Sequence, residues 1–268
     1  MIPDEELQDL LATAVSLTQE AAELLKKMQG SQHLVEQKDK GDFSTSADIA
    51  AETLIIKGIQ AKYPSHSILS EEKGRSDDSS DYLWIIDPLD GTKEYARGSS
   101  DFNVLIALEY KRELIVGAYY RNINNVLYKA TSHQGSFRND KCLEVSKKTD
   151  LSTSMVGFRL PRGSNGPQVV HERVTMLEKM INICYRVRCP SDDAHSLGMV
   201  AEGLLDAHII YEGVCHWYDI APSLLLVKEA GGMVTDFNGD PVKSEDFSKG
   251  IVASNGLINK SLLEILTS

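Results

Sequence analysis

The run LWIIDPLDGTKEY, residues 83–95, carries the densest chemistry in the chain. Asp87 and Asp90 stand three positions apart, Pro88 fixes the backbone between them, and the Leu89 carbonyl lies in the same stretch. Two carboxylates on a turn at a strand end can both reach one hard cation, and Mg²⁺ takes oxygen ligands of this kind while keeping several waters. Gly91 permits a tight turn whose N–H groups can face an anion. Asp-Gly turns are common, so Asp90-Gly91 alone reads as a solvated turn. A chance match to all of D-P-x-D-G-T is on the order of 10⁻⁴ at average residue frequencies, and the full run reads as a cation site.

Other acids are ordinary one at a time. Glu71-Glu72 follows the short apolar stretch HSILS, and exposed Glu pairs are usually only solvated. Asp219 precedes an apolar helical run that stops at Gly231-Gly232, so its default role is helix N-cap. A capping Asp can still turn one oxygen toward a metal. Asp42, Thr45 and Asp48 open another helix in GDFSTSAD, where Asp48 or Ser46 would cap. The order of these acids along the chain carries more than any one of them.

These side chains need rigid elements behind them. Pro3 and the acids Asp4, Glu5 and Glu6 suit a helix start. Leu7, Leu10, Leu11, Ala14, Ala21, Leu24, Leu25 and Met28 then recur at helical spacing as far as Gly30. A second helix is predicted over 48–62, ahead of Pro64. Strands are predicted at 67–69, 83–86 and 102–110, the last opening a β-meander to Phe137 with KRE and NINN as its turns. Beyond about residue 150 the pattern alternates, with strands at 155–158, 184–188, 207–211, 233–236 and 251–253. Helices are expected there at 168–181, 192–203, 219–230 and 257–266. The expectation is therefore an α+β half over 1–150 and an α/β half over 151–268, layered around shared cores.

A net charge of −11 argues against a chain that tracks a nucleic-acid polymer, which requires clustered Lys and Arg. It also means that an anionic substrate needs local cations, which favours metal ions. The four cysteines, Cys142, Cys184, Cys189 and Cys215, have neither zinc-finger spacing nor disulfide density and read as buried free thiols. The acidic start MIPDEELQ and the lack of an apolar run near the roughly 18 residues that span a bilayer point to a cytoplasmic protein away from membranes.

In sequence order, DFSTSAD (42–48), ILSEE (68–72), WIIDPLDGTKEY (84–95) and YDIAPSLLLVKEAGG (218–232) resemble the lithium-sensitive, Mg²⁺-dependent phosphatases of the inositol monophosphatase superfamily. HQGSFRNDKCLEVS (133–146) looks like that family's segment after the meander. The resemblance implies a layered αβαβα sandwich. By matching position it makes Glu71, Asp87, Asp90 and Asp219, with the Leu89 carbonyl, the ligands of two or three Mg²⁺ ions. It makes Thr92 the residue that positions and activates the attacking water, with Asp48 bonded to its hydroxyl. Gly91 and Thr92 would face the phosphate through their N–H groups. The implied reaction is direct in-line displacement on a small phosphate monoester, by a chain that could form a homodimer. A haloacid dehalogenase phosphatase is disfavoured because its D-x-D-x-T spacing is absent. A catalytically dead sensor of metal or nucleotide is disfavoured because every ligand and the threonine are present.

Which ester is read from neighbouring residues. DPLDGTKEY, with Lys93 and Glu94, and Ala221-Pro222 after Asp219 look more like the 3'(2'),5'-bisphosphate nucleotidases. GDFSTSAD looks closer to the inositol type, as does Glu212, which aligns with a hydroxyl-binding glutamate, and Tyr218 stands where tryptophan is usual. RCPSDDAHS (188–196), with Ser191, is expected to line the substrate pocket; Arg188 could pair with a second phosphate and Asp192 and Asp193 would repel one. His195 and His216 are taken as structural. The main expectation is hydrolysis of adenosine 3',5'-bisphosphate to AMP; the alternative is an inositol or sugar monophosphate.

Overall fold

The computed structural model describes residues 2–31, 42–76, 79–161, 165–242 and 249–267, and the backbone alone over 34–39 and at Asp42. The helices are α1 (Asp4–Met28), α2 (Ser46–Lys62), α3 (Thr92–Ala96), α4 (Pro167–Ile183), α5 (Asp193–Ala201), α6 (Trp217–Glu229) and α7 (Asn259–Leu266). The strands of the first half are β1 (Leu34–Asp39), β2 (Asp42–Thr45), β3 (Ser67–Ser70), β4 (Gly74–Arg75), β5 (Tyr82–Asp90), β6 (Asn103–Tyr110), β7 (Glu113–Arg121), β8 (Val126–Thr131), β9 (Ser136–Arg138) and β10 (Lys141–Cys142). Those of the second half are β11 (Met155–Phe158), β12 (Arg186–Arg188), β13 (Ala207–Ile210), β14 (Met233–Thr235) and β15 (Ile251–Ser254).

Three buried apolar clusters fix the layers. Leu10, Ala14 and Leu25 of α1 and Ile55 and Ile59 of α2 pack with Trp84, Ile86, Val104 and Ile106 on one face of the eight-stranded sheet β10-β9-β8-β7-β6-β5-β3-β4. The other face packs on α5 and α6, which also cover the five-stranded sheet β12-β11-β13-β15-β14 through residues such as Ile210, Ile251 and Ala253. Phe158, Met180, Ile209 and Leu262 close the far side, beneath α4 and α7. The result is the αβαβα sandwich.

Most predicted elements are present, and the departures have physical causes. The hairpin β1–β2 was missed; its strands are antiparallel with two register shifts, so its sequence lacks clean alternation. The meander forms as expected. Its β6–β7 turn holds Lys111 and Arg112 at φ 52° and 66°, a left-handed pair without glycine. The second sheet is mixed rather than a parallel α/β sheet, because β15 runs antiparallel to both β13 and β14. Among the cysteines only Cys184 and Cys215 are buried; Cys142 and Cys189 are exposed, contrary to the expectation of four buried thiols. No helix among the described residues is long and apolar enough to cross a membrane.

The middle layer depends on one close approach. Helix α6 is apolar nearly all round, with Ile220, Ala221, Pro222, Leu224, Leu225 and Leu226 buried, as befits a helix between two sheets. Gly117 of β7 lies directly beneath it. A Cβ there would stand 2.7 Å from the Pro222 carbonyl oxygen and 3.0 Å from its Cα, both backbone atoms that cannot rotate away. Gly117→Ala is therefore expected to destabilise the fold by about 1–3 kcal/mol through overpacking. Urea unfolding checks this, and a midpoint equal to that of the parent chain would show that α6 does not need the contact.

Candidate metal and active site

The β5 strand runs further than its apolar residues suggested, through the motif itself to Asp90. It pairs antiparallel with β6, but Asp87 faces Leu105 while Asp90 faces Asn103, so three steps on β5 match two on β6. That bulge is where Pro88, which has no N–H for the ladder, can sit. The two aspartates are thus carried by a bulged strand rather than by a free turn. Gly91 follows at φ 90° and starts α3 at Thr92.

Glu71 arrives from the parallel neighbour. Ser70 of β3 is in register with Ile86, and the Glu71 N–H donates to the Ile86 carbonyl at 3.2 Å, which brings Glu71 beside Asp87. The turn that holds it is fastened from α2, where the buried Glu52 accepts the N–H groups of Glu72 at 3.1 Å and Lys73 at 3.0 Å. Asp219 comes from the first turn of α6, which Trp217 ties to the first sheet by donating from Nε1 to Glu109 at 2.8 Å. Asp219 is not the N-cap expected for it. His216 occupies that place, and Asp219, three residues on, accepts the His216 N–H at 2.7 Å. Asp48 holds the same position on α2, where Thr45 is the cap: its Oδ2 accepts from Thr45 N at 2.8 Å and Thr45 Oγ1 at 2.5 Å. Its Oδ1 stands 3.1 Å from the Thr92 hydroxyl.

The carboxylates share one design. Asp87 Oδ1 accepts the Leu89 N–H at 3.0 Å, Asp90 Oδ2 accepts from Asn103 Nδ2 at 2.7 Å, and Asp219 Oδ2 is held by His216. Each has one oxygen fixed and the other without a donor among the described residues. All three, with Glu71, Leu89, Gly91 and Thr92, line a cleft of about 250 Å³. Ser191, Arg159, Lys93, Glu94, Asp193 and His216 complete that lining, so His216, which caps α6, also stands at the cleft wall. Glu212, by contrast, is exposed on the turn after β13 and is not among the lining residues; its backbone carbonyl accepts from Arg173 at 2.8 Å. Arg188 lies exposed on the edge strand β12. The side chain of Asp42 lies outside the described residues.

So many acids together resist ionisation. Burial first, and then the charges of Glu71, Asp90 and Asp219, push the Asp87 carboxyl well above its ordinary range. Asp90 is raised by burial and by Asp192, against the opposing Asn103 hydrogen bond. Asp219 is pushed up to about 7, mainly by burial, with the His216 N–H opposing and Glu71 and Asp193 adding. Asp48 is raised by burial, with the Thr45 and Thr92 hydrogen bonds opposing. An all-oxygen donor set that cannot comfortably be charged on its own is what a hard divalent cation requires. Among the described residues no three such side chains are drawn together around a single point; the donors stand apart along the cleft lining.

Glu52, Asn103 and Arg159 were not found from the sequence, whereas Asp193 lies in the 188–196 segment expected to line the pocket. Glu52 had a signal, since it lies one helical turn after Asp48 on the same face. Asn103 and Arg159 come from elements far apart in the chain and had none.

The whole length 6–268 matches the model of the "Inositol monophosphatase family". The Nus factor SuhB of Escherichia coli K12 is 33% identical over 260 residues, covering 96% of this chain and 95% of that protein. The inositol-1-monophosphatase of Mesorhizobium japonicum is 34% identical over 231 residues, covering 85% and 84%. The solved inositol monophosphatase of Anabaena (Nostoc) superposes with a TM-score of 0.84 at 28% identity, over 98% of this chain and 96% of that one.

The raised Asp219 carboxyl gives a sign that can be tested. Its folded value near 7 lies above the usual 3.8, so the folded state holds the proton more tightly and ionising it lowers stability as pH rises toward and through 7. In metal-free buffer Asp219→Asn is expected to melt several degrees above the parent chain at pH 8, with the gap closing toward pH 5. Added Mg²⁺ is expected to reverse the order, since only the parent chain gains the full metal linkage. Melting curves in EDTA and in Mg²⁺ read both effects, and an Asn variant less stable than the parent chain in EDTA at pH 8 would contradict them.

Proposed function

The chain belongs to the inositol monophosphatase family, and from that premise we propose that it is a Mg²⁺-dependent phosphomonoesterase acting on an inositol or similar polyol monophosphate. The observation that carries the reading is the single cleft shared by Glu71, Asp87, Asp90 and Asp219 with the Asp48–Thr92 pair at its wall. The expectation of a bisphosphate nucleotidase gives way to its alternative. The relatives named above are inositol monophosphatases or SuhB, and of the residues that favoured the nucleotidase Ala221 and Pro222 have other work, buried in α6 with Pro222 against Gly117 of the first sheet. Asp193 in the lining also disfavours a second phosphate.

In this reading Glu71, Asp87, Asp90 and Asp219, with the Leu89 carbonyl, hold two or three Mg²⁺ ions. Bound there, Mg²⁺ supplies positive charge against the phosphoryl oxygens and makes water easier to deprotonate. The Thr92 hydroxyl has one proton and two acceptors in reach, Asp48 Oδ1 at 3.1 Å and the Leu89 carbonyl at 3.0 Å. Donation to the carboxylate is the stronger bond and leaves the Thr92 oxygen free to accept from a water. As that water attacks phosphorus, its proton passes to Thr92 Oγ1 and the threonine proton to Asp48 Oδ1, whose raised affinity for protons suits the role. The phosphorus–ester oxygen bond breaks on the opposite side, and the alcohol leaves with a proton from solvent. The N–H groups of Gly91 and Thr92, at the start of α3 and without intrahelical partners, orient the phosphate.

Phosphate release is expected from inositol 1-phosphate with Mg²⁺, to be lost in EDTA, and to exceed release from adenosine 3',5'-bisphosphate at equal concentration. A preference for the nucleotide would return the chain to the bisphosphate class, and release from neither would remove the phosphatase reading. Thr92→Val is expected to lower kcat by roughly 10²–10³, the usual worth of a positioned proton-transfer group. A near-normal kcat for that variant would take Thr92 out of the relay.

A further inference from the structure

Arg159 brings a guanidinium into the cleft from the five-stranded sheet. It follows β11, and its own N–H donates to the Ile209 carbonyl of β13 at 3.0 Å, which fixes the root of the side chain. Its Nε stands 3.4 Å from Asp193 Oδ2, and Nη1 donates to the Ser191 carbonyl. Asp193 is in turn held from behind, with Oδ1 at 2.9 Å from His208 Nε2. His208 is fully buried, and its Nδ1 meets no partner against Gly157. A neutral imidazole carries one N–H. A bare lone pair at the buried Nδ1 costs less than an orphaned N–H, so Nε2 is the protonated nitrogen and donates to Asp193.

The chain His208–Asp193–Arg159 settles what the arginine can offer. A carboxylate this close cancels most of the guanidinium's field, so the pair adds little attraction for a second anionic group. The planar fork still presents N–H groups. Neither Nη2 hydrogen has a protein acceptor among the described residues, and the side chain is only 15% exposed, with that opening toward the cleft lining. Directed donors with little net charge suit a neutral acceptor.

Resting on the phosphomonoesterase reading, we propose that Arg159 is a specificity-determining residue whose Nη2 donors take a hydroxyl of the polyol part of the ester, and that Asp193 and His208 are the positioning residues that aim it. The phosphate and the metal ions stay with the first sheet, and the alcohol is read by the second.

The test is the ratio of kcat/KM for inositol 1-phosphate to that for phenyl phosphate, which offers no hydroxyl, in the full-length chain with saturating Mg²⁺. Arg159→Met is expected to lower this ratio roughly 10- to 100-fold, the worth of a hydrogen bond from a charged donor, mostly through KM. Arg159→Lys keeps a cation beside Asp193, and so guards against a folding defect, but it cannot bond Asp193, the Ser191 carbonyl and a substrate at once. It is expected to lower the ratio as well. His208→Gln should lower the ratio less, and should add nothing in the Arg159→Met background. A ratio unchanged within about threefold in both arginine variants overturns the inference, whatever happens to the separate rates. A parent chain that hydrolyses phenyl phosphate without preferring the polyol ester overturns it while leaving the phosphatase reading intact. Hydrolysis of neither ester overturns both.

Discussion

The constraint on which the rest of the structure depends is negative charge gathered faster than the protein can neutralise it. Glu71, Asp87, Asp90, Glu94, Asp193 and Asp219 line one cleft whose described cations are Lys93 and Arg159, and Arg159 is already paired with Asp193. Gathering carboxylates away from water is among the costlier things a fold can do. Here the cost appears as carboxyl groups driven toward their neutral forms. A protein selected only for stability would not gather them, and the arrangement makes sense as a site completed by divalent cations.

The fold meets this constraint with backbone polarity more than with cationic side chains. Strands β3 and β5 run parallel, so their carboxyl ends deliver Glu71 and the Asp87–Asp90 bulge to the same edge of the sheet. Helices α2, α5 and α6 point their N-termini to that edge, carrying Asp48, Asp193 and Asp219 in their first turns. A helix N-terminus favours negative charge on the order of 0.3–1 kcal/mol for an exposed group and more for a partly buried one. The same geometry supplies the N–H donors that fix one oxygen of Asp48 and Asp219. Asn103 serves Asp90 in the same way and also reaches Asp192 Oδ2 at 3.0 Å, so one amide restrains an acid of β5 and the N-cap of α5. Layering and site are therefore one problem. The core must hold α6 close to Gly117 for Asp219 to arrive where Asp87 already is.

Much of this was legible in the sequence, for local reasons. D-P-L-D-G-T announces itself because proline, glycine and two carboxylates each do something particular to the backbone or to a cation within six residues. Asp48 was readable as a helix-start acid, and so was Asp219, although both turned out to sit three residues after their caps. What stayed hidden arises from long-range pairing. No periodicity shows that Asn103 will face Asp90 across a bulge, or that Arg159 and Asp193, 34 positions apart in number, will meet in the cleft. The expectation of a nucleotide ester leaned on a misleading pair for a related reason. Ala221-Pro222 looked like a substrate signature because it adjoins Asp219, yet its place in α6 makes it a packing pair against β7, silent about the ester.

On the proposed reading, the labour is divided between the two sheets. The metal-facing acids come from β3, β5 and the first turn of α6, all fastened to the eight-stranded sheet through Ile86, Asn103 and Glu109. Arg159, proposed to meet the alcohol, and Asp193, which aims it, stand at the end of β11 and the start of α5, tied to the five-stranded sheet through Ile209 and His208. Substitution on the second set can change which ester is accepted without moving a carboxylate of the first. A motif match therefore points to the chemistry through tightly coupled residues, whereas the substrate is written in loosely coupled ones that only the folded chain brings together. In that proposal Arg159 is where the second inscription is densest, because two buried side chains, Asp193 and His208, and the Ser191 carbonyl are committed to the direction of a single guanidinium.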